Sequence, residues 1–290
     1  MDKIIGLGNA LIDVLATLKD DTLLDELELP KGSMQLIDDA KLQQINTKFS
    51  QMKTHLATGG SAGNAILGLA CLGAGTGFIG KVGNDHYGDF FRKNLQKNNI
   101  EDNLLTSEQL PSGVASTFIS QDGERTFGTY LGAAASLKAE DLTLEMFKGY
   151  AYLFIEGYLV QDHEMILHAI ELAKEAGLQI CLDMASYNIV ENDLEFFSLL
   201  INKYVDIVFA NEEEAKAFTG EEPEEALRVI AKKCSIAIVK VGANGSYIRK
   251  GTEEIKVSAI PVEKVLDTTG AGDYFCLLYT SDAADDRISV

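Results

Sequence analysis

Near the end of the chain, Asp267-Thr268-Thr269-Gly270-Ala271-Gly272-Asp273 sets an acid at each end of a glycine-rich string. It follows a strand-like apolar run over residues 260–266 and should open a helix. Gly270 and Gly272 have no Cβ, so a ligand can come close to their backbone and the turn can take φ > 0. The amides of residues 270–273 would then point out of a helix N-terminus, where the dipole favours an anion. Such a nest of donors suits a transferring phosphoryl group. Asp273 at its rim is placed to accept the proton of an attacking hydroxyl. A bare Gly-Ala-Gly turn can also do no more than join a strand to a helix. The acid at each end favours the chemical reading.

Other strand ends carry polar residues. Gly59 and Gly60 precede an apolar helix and let backbone amides face a ligand, or form a glycine-rich cap. Glu156 follows the run Tyr152-Leu153-Phe154-Ile155, where an acid can bind a ligand or cap the next turn. Asn211-Glu212-Glu213-Glu214 follows Val208-Phe209-Ala210 and suits a helix N-cap with acids in its first turn. Lys240-Val241-Gly242-Ala243-Asn244-Gly245 follows another strand and can be a ligand loop or a plain turn. Gly6-x-Gly8 after the first strand lacks the third glycine of a dinucleotide fingerprint, where Leu11 stands, so that reading is rejected.

These strings carry a family resemblance. DTTGAGD resembles the anion-hole signature of the ribokinase-like, or PfkB-type, carbohydrate and purine kinases. GKVGNDHYGDFF at residues 80–91 resembles that family's other signature, and the likeness runs over residues 4–275. GNALID, KGSMQLID, FIEGYL and AIPVEK look most like its adenosine-kinase-like branch. The resemblance implies an ATP-dependent kinase that uses Mg²⁺ and, in some relatives, a monovalent cation. It implies a nucleoside or sugar as acceptor, with Asp273 as base and Gly270, Ala271 and Gly272 as the anion hole. Asn9, Asp13, Gly59, Gly60, Asn64 and Glu156 would then hold the acceptor. A carboxylate such as Asp13 can accept from two vicinal hydroxyls at once; taken alone, Asp13 reads as a turn or cap residue. Lys240, Gly242, Gly245, Asp183 and Thr269 would line the nucleotide. Asp183 departs from the asparagine that many relatives carry there. Asn211 and Glu214 would hold Mg²⁺ through water. The last stretch, CLLYTSDAADDRISV at residues 276–290, does not continue the family's helical pattern. It is expected to be foreign to the natural chain, with the fold's last helices missing. A catalytically impaired nucleoside- or nucleotide-binding protein is therefore the second reading.

The totals agree with a soluble, cytoplasmic enzyme of one large domain. The 290 residues are 46% hydrophobic and carry a net charge of −19. That balance argues against nucleic acid or an anionic membrane as partner. No apolar run is long enough to span a bilayer, and the N-terminus carries no signal-peptide pattern. Cys71, Cys181, Cys234 and Cys276 are scattered without a C-x-x-C pair and read as buried thiols. No histidine has zinc-ligand spacing. The oligomeric state is left open between monomer and homodimer.

The periodicity predicts the elements that must place these residues. Strands are expected at 3–8, 78–84, 152–155, 178–182, 205–209 and 236–240. Helices are expected at 38–48, 65–72, 86–98, 164–176, 190–201, 212–218 and 224–233. Strands spaced by helices imply an α/β fold with a doubly wound, mostly parallel sheet. Segments of about 14–36 and 113–131 interrupt the rhythm. The second holds the hairpin signal Asp122-Gly123, and the resemblance places a small β lid there.

Overall fold

The computed structural model describes residues 2–260 and 270–275. Thr269, most of the strand-like run 260–266 and the tail 276–290 lie outside the described residues. The strands in chain order are β1 (Ile4–Leu7), β2 (Leu11–Thr17), β3 (Met34–Leu36), β4 (Thr54–Gly59), β5 (Thr76–Gly83), β6 (Ile100–Ser107) and β7 (Gly113–Ile119). They continue as β8 (Arg125–Tyr130), β9 (Tyr152–Glu156), β10 (Gln179–Asp183), β11 (Ile207–Asn211), β12 (Ile236–Lys240), β13 (Ser246–Lys250) and β14 (Glu253–Val257). The helices are α1 (Thr22–Glu26), α2 (Asp39–Phe49), α3 (Ser61–Cys71), α4 (His86–Lys97), α5 (His163–Glu175), α6 (Tyr187–Asn192), α7 (Leu194–Lys203), α8 (Glu212–Thr219) and α9 (Pro223–Ile230).

The main sheet runs β14-β13-β12-β11-β10-β9-β1-β5-β6. From β12 through β6 every pairing is parallel, whereas β13 and β14 return as antiparallel edge strands. Strand residues alternate between two apolar clusters. Leu153 and Ile155 join α5 and α7 on one face, and Tyr152 and Phe154 join α3 and α4 on the other. Burial on both faces explains the near-continuous apolar strands. β1 is the first strand, with β5 and β6 to one side and β9 to β12 to the other. The order therefore reverses between β1 and β9, and beyond the carboxyl ends of strands at such a point a crevice opens.

The small sheet, β3-β8-β7-β2-β4, stands over that crevice and draws on more of the chain than segments 14–36 and 113–131. It starts at Leu11 and takes in β4, which the sequence pattern hides. Three successive residues of β4, His55 to Ala57, are exposed on this edge, so the strand needs no apolar alternation. Asp13 is no turn residue: it sits mid-strand in β2, opposite Ala57 of β4 and Ala115 of β7. The signature 80–91 ties the two sheets together. Asp85 caps α4 at Tyr87 and Gly88 and also accepts from the Ser112 N–H (2.7 Å) and hydroxyl (2.7 Å) at the start of β7.

Other differences have local causes. The helix expected at 190–201 breaks at Asp193 into α6 and α7. β6 and β14 carry mixed or exposed sequences because they are edge strands. Cys71 is exposed at the end of α3, Cys181 is buried and Cys234 is half-buried, and all three are free thiols. No helix among the described residues is long and apolar enough to cross a membrane.

Candidate active site

Register sets a row of polar residues along the carboxyl edge of the main sheet. Asp183 of β10 is opposite Glu156 of β9, and Asn211 of β11 is opposite Lys240 of β12. Asn9 follows β1 and is buried. Its backbone N–H and side-chain amide both donate to Glu156 Oε1, at 2.8 and 2.6 Å. Glu156 Oε2 accepts from the Ala62 N–H in the first turn of α3 at 2.9 Å. Glu156 is 1% exposed, and its two oxygens clamp the β1–β2 link to α3.

Gly60 enters α3 at φ 86° and ψ 136°, a conformation open to glycine and strained for other residues. Its turn aims Ser61 and Asn64, three apart on one helix face, at Asp273. The Ser61 hydroxyl donates to Asp273 Oδ1 at 2.8 Å, and the Asn64 amide donates to Oδ2 at 2.9 Å. Ser61 is a site residue beyond those the sequence motifs mark, and its spacing from Asn64 carries the signal. Gly270 has φ 70°, and residues 271–275 are helical. A backbone bond of that turn runs from the Tyr274 N–H to the Gly270 carbonyl, 2.8 Å. Ala271 and Asp273 lie in this first turn, where backbone N–H groups point out of the helix N-terminus.

Lys240 and Asp183 form an ion pair of 2.9 Å, at 13% and 4% side-chain exposure. A Cβ built on Gly272 would lie 3.6 Å from Lys240 Nζ, so this cation borders the glycine turn. Ala185, at φ 64°, donates its N–H to Asp183 Oδ1 at 2.9 Å. Asn211 and Glu214 form a reciprocal capping box at α8: the Glu214 N–H donates to Asn211 Oδ1, and the Asn211 N–H and amide donate to Glu214. Among the described residues no three His, Cys, Asp or Glu side chains gather as a direct metal ligand set. Gly242, at φ 53°, borders the cleft, whereas Gly245 does not. The bareness of Gly245 answers to β14, since a Cβ there would lie 1.8 Å from the Val257 carbonyl oxygen. Gly59 similarly makes room for Asp13, whose carboxylate would meet its Cβ at 2.5 Å.

Two cavities meet over this edge. One, about 570 Å³, lies between the sheets and has mainly apolar walls, with Leu11, Met34, Leu36 and Leu131 above and Leu159, Met165 and Ile189 below. The other, about 570 Å³, is polar, lined by Asn64, Asp183, Asn211, Glu213, Lys240, Gly242, Gly272 and Asp273 among others. Gly60, Ser61 and Tyr158 border both.

The carboxylates around the seam resist ionisation. Burial pushes the Glu156 carboxyl up to about 7 against its three N–H donors. Burial lifts Asp13 to about 6, with Arg125 opposing and Asp273 adding. Burial lifts Glu214 to about 7, with Asp183 adding and Lys240 opposing. Asp273 is also raised, first by burial, with Asn64 and Ser61 opposing. Asp13, Glu156 and Glu214 thus bind protons more tightly folded than unfolded. The stability they contribute is complete below about pH 4, the ordinary carboxylate value, and is lost as pH rises through 6 to 7. The effect of Glu156 alone is on the order of 3 kcal/mol. Calorimetric scans should give a Tm several degrees higher at pH 5 than at pH 8, and Glu156→Gln should flatten that slope while lowering Tm overall. A wild-type Tm that climbs from pH 5 to 8 would contradict this assignment of charge.

The pattern of the pfkB family carbohydrate kinases matches residues 32–284. A solved structure of a probable sugar kinase from Rhizobium etli CFN 42 superposes with a TM-score of 0.86 at 32% identity, over 98% of this chain and 87% of that one. Adenosine kinase from Sinorhizobium meliloti gives 0.83 at 32% identity, over 97% and 88%. Adenosine kinase 2 of Arabidopsis thaliana is 25% identical over 94% of this chain and 85% of its own.

Proposed function

The chain belongs to the pfkB family of carbohydrate kinases, and on that premise we propose that it moves the γ-phosphoryl group of Mg·ATP to a primary hydroxyl of a nucleoside. The observation that carries this reading is the seam: an apolar cavity and a polar cavity meet beside Asp273 and the turn Gly270-Ala271-Gly272. The polar cavity suits polyphosphate, and the apolar one suits a planar base. Met34 and Leu36 are 49% and 64% exposed on β3, toward an occupant that can cover them. A free monosaccharide needs polar partners on every side, and these walls offer few.

In this reading Asp273 orients the acceptor hydroxyl and takes its proton. The amides of Ala271 and Gly272 stabilise charge on the moving phosphoryl. Asn9, Asp13, Gly60 and Asn64 hold the sugar in line, which supplies much of the rate through positioning. Glu156 keeps Asn9 and α3 in that frame. Lys240 faces the phosphates, with Asp183 fixing it and Gly242 giving the nucleotide close access. The donor set fits a hydrated Mg²⁺: Asn211 and Glu214 are locked to each other, with Glu212 and Glu213 beside them. Mg²⁺ keeps several waters and takes few direct carboxylates, so these groups would hold it through its hydration shell. When bound it would neutralise phosphate charge. The small sheet is the lid that keeps water from competing as acceptor.

An ADP-release assay with Mg·ATP and adenosine, inosine, ribose or fructose tests this. Nucleosides should give kcat/KM about a hundredfold or more above either sugar. Ribose or fructose outpacing both nucleosides would reverse the acceptor assignment, and no ADP release with any of the four would remove the kinase reading for this chain.

A further inference from the structure

Of the three residues common to both cavities, Gly60 has no side chain, and the Ser61 hydroxyl already donates to Asp273. That leaves Tyr158. It sits on the single turn Gly157–Gln161 that follows β9, and its side chain is partly open, at 36% exposure. Its phenol makes no hydrogen bond to another described residue. Its backbone is fixed by Gly157, where a Cβ would lie 2.6 to 2.7 Å from the Asp183 carbonyl oxygen and the Met184 carbonyl group. No other residue fits that contact, so Tyr158 is held beside the carboxyl end of β10. The carboxylates of Glu156, Glu214, Asp273 and Asp183 all bear on it. Burial and those charges push the phenol up to about 12. It therefore stays protonated near neutral pH, and a neutral phenol among carboxylates is a donor looking for an anionic oxygen.

We propose that Tyr158 is a catalytic hydrogen-bond donor to a non-bridging oxygen of the phosphoryl group as it crosses from the polar to the apolar cavity. The inference rests on the kinase reading above. The seam already has a proton acceptor in Asp273 and a cation in Lys240. Among the described side chains that border both cavities, Tyr158 brings a donor not already committed to Asp273. A neutral donor can strengthen its bond as charge shifts in the transition state without tightening the ground state. Its target is oxygen of high charge density, so a thiophosphoryl group, with a larger and softer terminal atom, should gain less from it.

The test is Tyr158→Phe, which removes one partly exposed hydroxyl and leaves the ring. With Mg·ATP and the best acceptor, kcat should fall about 10- to 100-fold, with both KM values within about twofold of wild type. With ATPγS in place of ATP, the loss should shrink to about threefold or less. A melting temperature matching wild type checks that the fold is intact. If Tyr158→Phe melts early, wild-type protein carrying 3-fluorotyrosine at position 158 replaces it, and kcat should then change with the acidity of the phenol. Unchanged kcat in Tyr158→Phe, a loss carried by acceptor KM, an equal loss with ATPγS, or fluorotyrosine without effect would each overturn the proposal while leaving the kinase reading in place. A wild-type chain that releases no ADP with any acceptor removes both.

Discussion

Asp273→Asn should lower kcat by about 10²- to 10⁴-fold, the range general-base removal commonly costs, while acceptor affinity stays within about threefold. Asparagine is the sharper test because the frame around position 273 can accept it. Ser61 and Asn64 approach the two carboxylate oxygens separately. An amide can turn its oxygen toward the Asn64 donor and its NH₂ toward the Ser61 hydroxyl, which can accept as well as donate. The geometry then survives, and only the proton acceptor and its charge are lost. Steady-state ADP release gives kcat, and calorimetric titration of the acceptor gives its affinity. Turnover within threefold of wild type would remove Asp273 from the chemistry.

The same substitution has a pH signature. Burial raises Asp273 above the ordinary carboxylate range, so the ionised, proton-accepting form is lost at a higher pH than for an exposed aspartate. The wild-type kcat/KM should therefore fall on the acid side before pH reaches the usual carboxylate value. In Asp273→Asn the residual rate should lack that limb. In a loose phosphoryl-transfer transition state the hydroxyl proton need not leave early. If Asp273 chiefly orients the hydroxyl, the loss in kcat belongs at the low end of the range.

What could be read from the chain beforehand was chemistry carried by short strings. Asp273, Asn64, Gly60 and Asn211 each sit in a stretch whose turn or cap rule is local, and each borders the polar cavity. The parallel sheet was legible for the same reason: strands buried on both faces advertise themselves as apolar runs. Residues whose meaning depends on distant partners were opaque. Glu156 shows an acid after a strand, and nothing local says that its oxygens hold Asn9 and Ala62 from two other elements. Gly245 looks like a ligand-loop glycine until β14 is laid over it. Edge strands β4 and β14 lack alternation because both faces meet water, over His55 to Ala57 in β4 and throughout β14. Tyr158 looked like one more aromatic in FIEGYL, and only the meeting of two cavities singles it out.

Gly60→Ala should be the most damaging single-methyl change near the site. Two costs coincide there. At φ 86° and ψ 136° any side chain is strained, by about 1–3 kcal/mol. A Cβ would also lie 2.2 Å from the Asn9 carbonyl oxygen, which is backbone and cannot swing aside. Asn9 is held in turn by Glu156, so relief must come from moving α3 away from β1, adding about 1–3 kcal/mol of overpacking. Together these should lower Tm by about 10 °C. The same displacement carries Ser61 and Asn64 off Asp273, and a shift near 1 Å can cost about 10²-fold in rate. Gly73→Ala, just beyond the other end of α3, is the control. It too has positive φ, 88°, yet nothing lies within 4 Å of the added Cβ. It should cost only about 1 kcal/mol, with kcat unchanged. If Gly60→Ala melts and turns over like Gly73→Ala, the close seating of α3 on the β1–β2 link is not what sets the site. A hundredfold gap in kcat between the two alanines, measured by the same ADP-release assay, would place that contact among the parts that aim Asp273.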